Sequence, residues 1–193
     1  MPRLAAALLL LMSLPAAAMD LKVEGSTVVM SGAVVGTECD ALANLVAQSM
    51  IRTPIRTVVL ANSGGGDPPT GYCVGELIRK HGLSTVIRGR CSSACSRMWL
   101  GGVERSLDGP NAKVGVHGNY GYGGLIPGSP EKLRAWIPKY APAVDRALME
   151  KWIQLPSNTT IMYFYNDKAE LCEGRDCTPL AGRTALGVGL ATR

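Results

Sequence analysis

The chain has 193 residues, 47% of them hydrophobic, and a formal net charge of +5. That length makes one domain with a core that does not depend on staples, so the six cysteines are supplementary. Its basic side chains are scattered, with no run of interleaved aromatic and basic residues, which excludes a concentrated nucleic-acid footprint.

Residues 1–18 read as a secretory signal: Arg3 supplies the basic region, Leu4 to Leu14 most of the apolar stretch, and Ala16-Ala17-Ala18 the small-residue cleavage site. The apolar run is too short to span a bilayer, so no stable membrane insertion is expected. Cleavage after Ala18 leaves a chain of 175 residues beginning at Met19, periplasmic or secreted. An even cysteine count in such a compartment argues for disulfides. Cys172 and Cys177 flank a short polar stretch and are expected to pair. Cys91 and Cys95 stand at i, i+4, and can pair with each other or with Cys39 and Cys73; that choice stays open.

Met19 to Val35 predicts a hairpin turning at Glu24-Gly25-Ser26. Thr37 is placed to cap a helix carrying Leu42, Leu45, Val46 and Met50, which Thr53-Pro54 ends. A strand over 57–61 runs into Asn62-Ser63-Gly64-Gly65-Gly66, and a helix from about Thr70 to Lys80 closes at His81-Gly82. The strand Ser84 to Ile87 leads to Cys91-Ser92-Ser93-Ala94-Cys95, and Ala94 to Leu100 reads as a helix. His117 lies in the strand-like stretch Val114 to Gly118, and Gly118 to Gly128 reads as a loop without periodicity. Leu133 to Trp152 is helical, interrupted at Pro138 and Pro142. Alternating strands and helices with short connections predict an α/β domain of βαβ units on a largely parallel sheet.

Three of these features make one chemistry. Acyl transfer through a serine needs an exposed hydroxyl, a neutral imidazole to take its proton, and backbone N–H groups aimed at the developing oxyanion. Ser93 at a helix start supplies the first, His117 the second, and the glycine loop the third, since a chain without Cβ atoms lets a reacting carbonyl approach. His81, the only other histidine, falls at a helix C-terminus, where a structural role suffices. Ser92 and Ser96 are expected to be a cap and a surface hydroxyl. The glycine loop matches neither dinucleotide nor P-loop spacing, and Cys91-x-x-x-Cys95 is not a metal or redox pattern, so neither cofactor nor metal is expected.

The segments Asn62-Ser63-Gly64-Gly65-Gly66, Ser93-Ala94 before an apolar helix ending in Gly101-Gly102, and Val116-His117, 24 residues beyond Ser93, resemble in that order the Clp protease proteolytic subunit family, within the crotonase-like superfamily. The resemblance covers roughly residues 55 to 120 and is nearest to secreted bacterial members with a Cys-Ser-Ala-Cys-type nucleophile segment. It implies a serine peptidase or related acyl hydrolase acting on a peptide or acyl substrate. Ser93 would be the nucleophile and His117 the general base. Ala94 and one of Gly64, Gly65 and Gly66, with Gly65 and Gly66 preferred, would hold the oxyanion. The family has proline where this chain has Gly64. Its third residue is an acid before a late strand; laying that strand on Tyr163 to Tyr165 puts Asn158 at the position, with Asp145 and Asp167 as acidic competitors. A homo-oligomer is a further implication, since the family forms rings. The alternative is a binding or scaffold protein that keeps the fold without turnover.

Overall fold

A computed structural model describes residues 18–121 and 123–193. The signal segment, apart from Ala18, lies outside the described residues. The expected hairpin forms from β1 (Asp20–Glu24) and β2 (Thr27–Val34), antiparallel, with Gly25 at φ 63° in the turn. α1 (Glu38–Ser49) follows, but Thr37 contributes no side-chain cap. The buried Glu38 carboxylate instead ties the helix start to the chain before it, accepting from the N–H groups of Met19, Val35 and Gly36.

β3 (Thr57–Gly66) is longer than its hydrophobic run, because the glycine segment continues the strand beside β2 and β4. α2 (Pro68–Lys80) starts earlier than Thr70: Asp67 caps it by accepting from Thr70 N–H and hydroxyl, and proline is tolerated in the first turn. β4 (Ser84–Ser92) feeds α3 (Ala94–Leu100), and β5 (Arg105–Val116) ends one residue before His117. The expected loop at 118–128 contains a small antiparallel hairpin, β6 (Tyr120–Gly121) with β7 (Gly124–Leu125). α4 (Ser129–Tyr140) runs through Pro138, so the break falls only near Pro142, and α5 (Arg146–Ile153) begins beyond it. β8 (Thr160–Phe164), β9 (Ala169–Glu173) and β10 (Asp176–Pro179) complete the regular elements among the described residues.

The eight-stranded sheet has the order β1-β2-β3-β4-β5-β8-β9-β10. Pairs β2–β3, β3–β4 and β4–β5 are parallel, each joined through a helix, whereas the outer pairs are antiparallel. The expected βαβ units therefore make the centre of a mixed sheet in a single α/β domain. Its core holds Met30, Leu60, Ile87 and Val114 from the strands and Leu42, Ile78 and Met98 from the helices, all fully buried.

α3 is buried along its whole length, Arg97 included. It reaches that position because α2 offers glycines to it: a Cβ on Gly71 would press on the Ala94 carbonyl, and one on Gly75 on the Arg97 carbonyl, at 2.5 Å each. Arg79 and Arg105 collect carbonyls at the far ends of these helices; Arg79 takes those of Leu100, Gly101, Gly102 and Tyr140. Arg105 takes those of Gly102, Tyr140 and Leu190, drawing the C-terminal segment back onto the domain. That segment turns rather than forming a helix.

Three disulfides are present: Cys172–Cys177 as expected, and Cys39–Cys73 and Cys91–Cys95, which resolve the pairing left open. They fit a periplasmic or extracellular protein. Among the described residues no helix is long and apolar enough to cross a membrane.

Candidate active site

β4 and α3 meet at Ser93 with no intervening loop, so one residue must absorb the whole change of direction. Ser93 does so at φ 56° and ψ −127°, one of two non-glycine residues with positive φ among the described ones. Such a conformation costs of order 1–3 kcal/mol and persists only where its surroundings enforce it. Here they do: Ser93 N–H donates to Gly115 O at 3.0 Å, and its carbonyl accepts from Ser96 N–H and from Ser96 Oγ. The Cys91–Cys95 bridge closes a ring around the turn. The Ser93 hydroxyl makes no capping bond and the residue is only half-buried.

Gly65 stands opposite. A Cβ there would lie 2.6 Å from Ser93 Cβ and 2.8 Å from Ala94 N, so only glycine fits between β3 and the turn. Its N–H donates to Ser63 Oγ at 3.2 Å. Gly66 faces away: it pairs with Val34 on β2, and a Cβ there would collide with the Val34 carbonyl. Of the two glycines expected at the oxyanion, then, only Gly65 adjoins Ser93, beside Ala94. The strand's pleat sends neighbouring residues to opposite sides.

His117 is 5% exposed and follows β5 directly. Its carbonyl accepts from Arg97 Nη2 at 2.6 Å and from Trp152 Nε1 at 2.8 Å, and its ring lies 5.6 Å from that of Tyr120. Burial, and then the Arg97 charge, push the imidazole down to about 4, with a weaker opposing contribution from the Gly118 backbone. The ring is therefore neutral, and so able to accept a proton, at every pH above about 5. Its Nδ1 is enclosed and has no hydrogen-bond partner.

None of the three candidates for a third residue meets that atom. Asn158 is exposed in the turn before β8, where Ser157 bonds the hydroxyls of Thr159 and Thr160. Asp145 caps α5 by accepting from Leu148 N–H and faces Arg183. Asp167 is exposed between β8 and β9. The late strand does lie beside β5, but it pairs antiparallel, with Val116 opposite Met162, and the turn before it projects outward. Ser92 and Ser96 also differ from expectation, both being buried: Ser92 ends β4, and Ser96 bridges Ser93 O to Arg97.

Sequence reasoning passed over Arg97, Asn119 and Tyr72. Arg97 Nη2 reaches Asn119 Oδ1 at 3.3 Å, and Asn119 Nδ2 donates to Tyr72 Oη at 2.7 Å. Asn119 and Tyr72 line a pocket of about 110 Å³ with Pro68, Pro69, Ile126, Pro127 and Lys132. An arginine inside an apolar helix was the available signal, since buried charge needs a purpose. One group of metal-type side chains, Glu170 with Cys172 and Cys177, occurs among the described residues, but its thiols are spent in a disulfide.

No family model matches the chain, and no curated protein matches it. Solved structures do. The chain is similar to ClpP1 from Listeria monocytogenes at 17% identity and a TM-score of 0.58, over 87% of this chain and 89% of that one. It is similar to a putative enoyl-CoA hydratase from Streptomyces coelicolor A3(2) at 14% identity and a TM-score of 0.55, over 91% and 66%. A mutant of a membrane-bound stomatin-specific protease matches at 14% identity and a TM-score of 0.53, over 84% and 75%. The fold is ClpP/crotonase-like.

Proposed function

We propose that this protein is a serine hydrolase, a peptidase in the first instance, that works outside the cytoplasm after losing residues 1–18. The observation that carries the reading is the strained Ser93 turn with Gly65 and Ala94 N beside it. Strain at a strand-to-helix serine serves to expose a hydroxyl beside backbone donors. The likeness to ClpP1 and to a stomatin-specific protease supports the same class.

His117 takes the Ser93 Oγ proton as that oxygen bonds to the substrate carbonyl carbon. The carbonyl electrons move onto oxygen, which is received by the N–H groups of Ala94 and Gly65, the latter leaving Ser63 Oγ. Collapse expels the amine or alcohol, which takes the proton from His117. Water then gives a proton to the same imidazole as it attacks the acyl carbon, and the acid is released as the C–Oγ bond breaks and Ser93 Oγ recovers that proton. No step calls for a cofactor.

One observation favours a second reading, a binding protein that keeps the fold without turnover. The enclosed Nδ1 has no acceptor to stabilise an imidazolium. A fluorophosphonate probe decides between the two. The hydrolase reading expects labelling that Ser93→Ala and His117→Ala each abolish in folded protein, and the double variant should be little worse than either. An unlabelled native protein, or labelling that survives Ser93→Ala, overturns it.

A further inference from the structure

Arg97 is 1% exposed, and among the described residues no carboxylate pairs with it. A buried guanidinium without an ion-pair partner is costly, and here Nε has no hydrogen-bond partner while Nη1 and Nη2 do. Its bonds converge on the two residues of the proposed reaction. Nη1 donates to Ser96 Oγ at 2.6 Å, and that hydroxyl in turn donates to Ser93 O at 2.7 Å. Nη2 donates to His117 O at 2.6 Å. Its face stacks on Trp152 at 5.0 Å, and Trp152 Nε1 holds the same His117 carbonyl from the other side. One planar group thus ties the main chain of the nucleophile to the main chain of the base across two elements that are distant in sequence.

We propose that Arg97 is the positioning residue of the Ser93–His117 pair: through Ser96 and the His117 carbonyl it fixes their separation from the backbone side, the service an acidic third residue performs through the ring. The inference rests on the hydrolase reading for its consequence in catalysis, but the linkage itself does not. The arrangement has an electrostatic side as well. The groups facing His117 are Arg97 from α3, the Tyr120 ring from β6 and Trp152 from α5, with Tyr72 of α2 joined to Arg97 through Asn119. The one full charge among them is a cation, so it opposes the imidazolium.

Three variants separate positioning, charge and plain structural support. Arg97→Gln removes the charge and the fork. Arg97→Lys keeps the charge and loses the fork. Asn119→Asp is isosteric and sets a carboxylate against the guanidinium without touching its bonds to His117 or Ser96. With only two histidines in the chain, imidazole NMR follows His117 directly, His81→Gln giving the assignment. The His117 titration should move up by about one pH unit in Arg97→Gln and in Asn119→Asp, and stay in place in Arg97→Lys. The plateau rate of fluorophosphonate labelling above both titrations should fall about tenfold or more in both Arg97 variants and hold in Asn119→Asp. An unmoved titration in Asn119→Asp, or an unchanged plateau rate in folded Arg97→Gln, overturns the proposal. If no form of the protein labels at all, the hydrolase reading fails, while the titration still decides whether Arg97 governs His117.

Discussion

Gly65 and Ser93 touch across the strand-to-helix turn: the position a Gly65 side chain would occupy is already filled by Ser93 Cβ and the Ser92 carbonyl, 2.6 and 2.5 Å away. Gly65 also stands at φ 93°, a conformation that favours glycine. Gly65→Ala should therefore displace the turn and lower labelling of Ser93 by about a hundredfold or more. Gly64→Ala is the control, since its nearest neighbour is the flexible Arg90 guanidinium at 3.4 Å, and it should label as the native protein does. Equal rates for the two variants would refute the assignment of Gly65.

The Cys91–Cys95 bridge closes a loop of only a few residues, so its removal should cost about 2 kcal/mol, against about 4 kcal/mol for Cys39–Cys73, whose ends are 34 residues apart. The order should reverse for activity. Cys91→Ala with Cys95→Ala frees the Ser93 turn and should cut labelling at least about tenfold, whereas the pair Cys39→Ala with Cys73→Ala keeps the ring around Ser93 closed and should leave labelling alone. Denaturant melts and labelling rates on the two double variants check both statements.

Folded His117 titrates at about 4 and an unfolded histidine near 6.5. A depressed value means that the unfolded chain binds the proton first as the pH falls. Stability is therefore complete above about 6.5 and is lost on acidification toward 4, by roughly 3 kcal/mol. His117→Gln should flatten that part of the stability curve, measured by urea unfolding between pH 7 and 4. A curve of unchanged slope would show that His117 is not the buried neutral group described.

Asn158 is exposed and makes no bond to His117, so Asn158→Ala and Asn158→Asp should each label within about twofold of the native rate. Asp145→Ala should cost about 1 kcal/mol in stability through loss of the α5 cap, with little change in labelling. A collapse of labelling in folded Asn158→Ala would mean that the turn before β8 closes onto the imidazole in solution.

The chain by itself determined those features whose causes are local. Hydrophobic runs, Gly82 and the Ser93-Ala94 junction delimit strands and helices through backbone preferences that a few neighbours decide, and His117 was conspicuous because histidine is scarce here. The Cys172–Cys177 bridge was legible for the same reason, as its ends are five residues apart. Tertiary structure alone decided whatever depends on which elements meet. Gly65 and Gly66 differ by one step along a strand, and only the placement of β2 and α3 on either side turns one toward Ser93 and the other toward Val34. Arg97 looked like one more basic residue until α3 was enclosed by α2, β5 and α5, where a charge must find partners and finds the Ser96 hydroxyl and the His117 carbonyl.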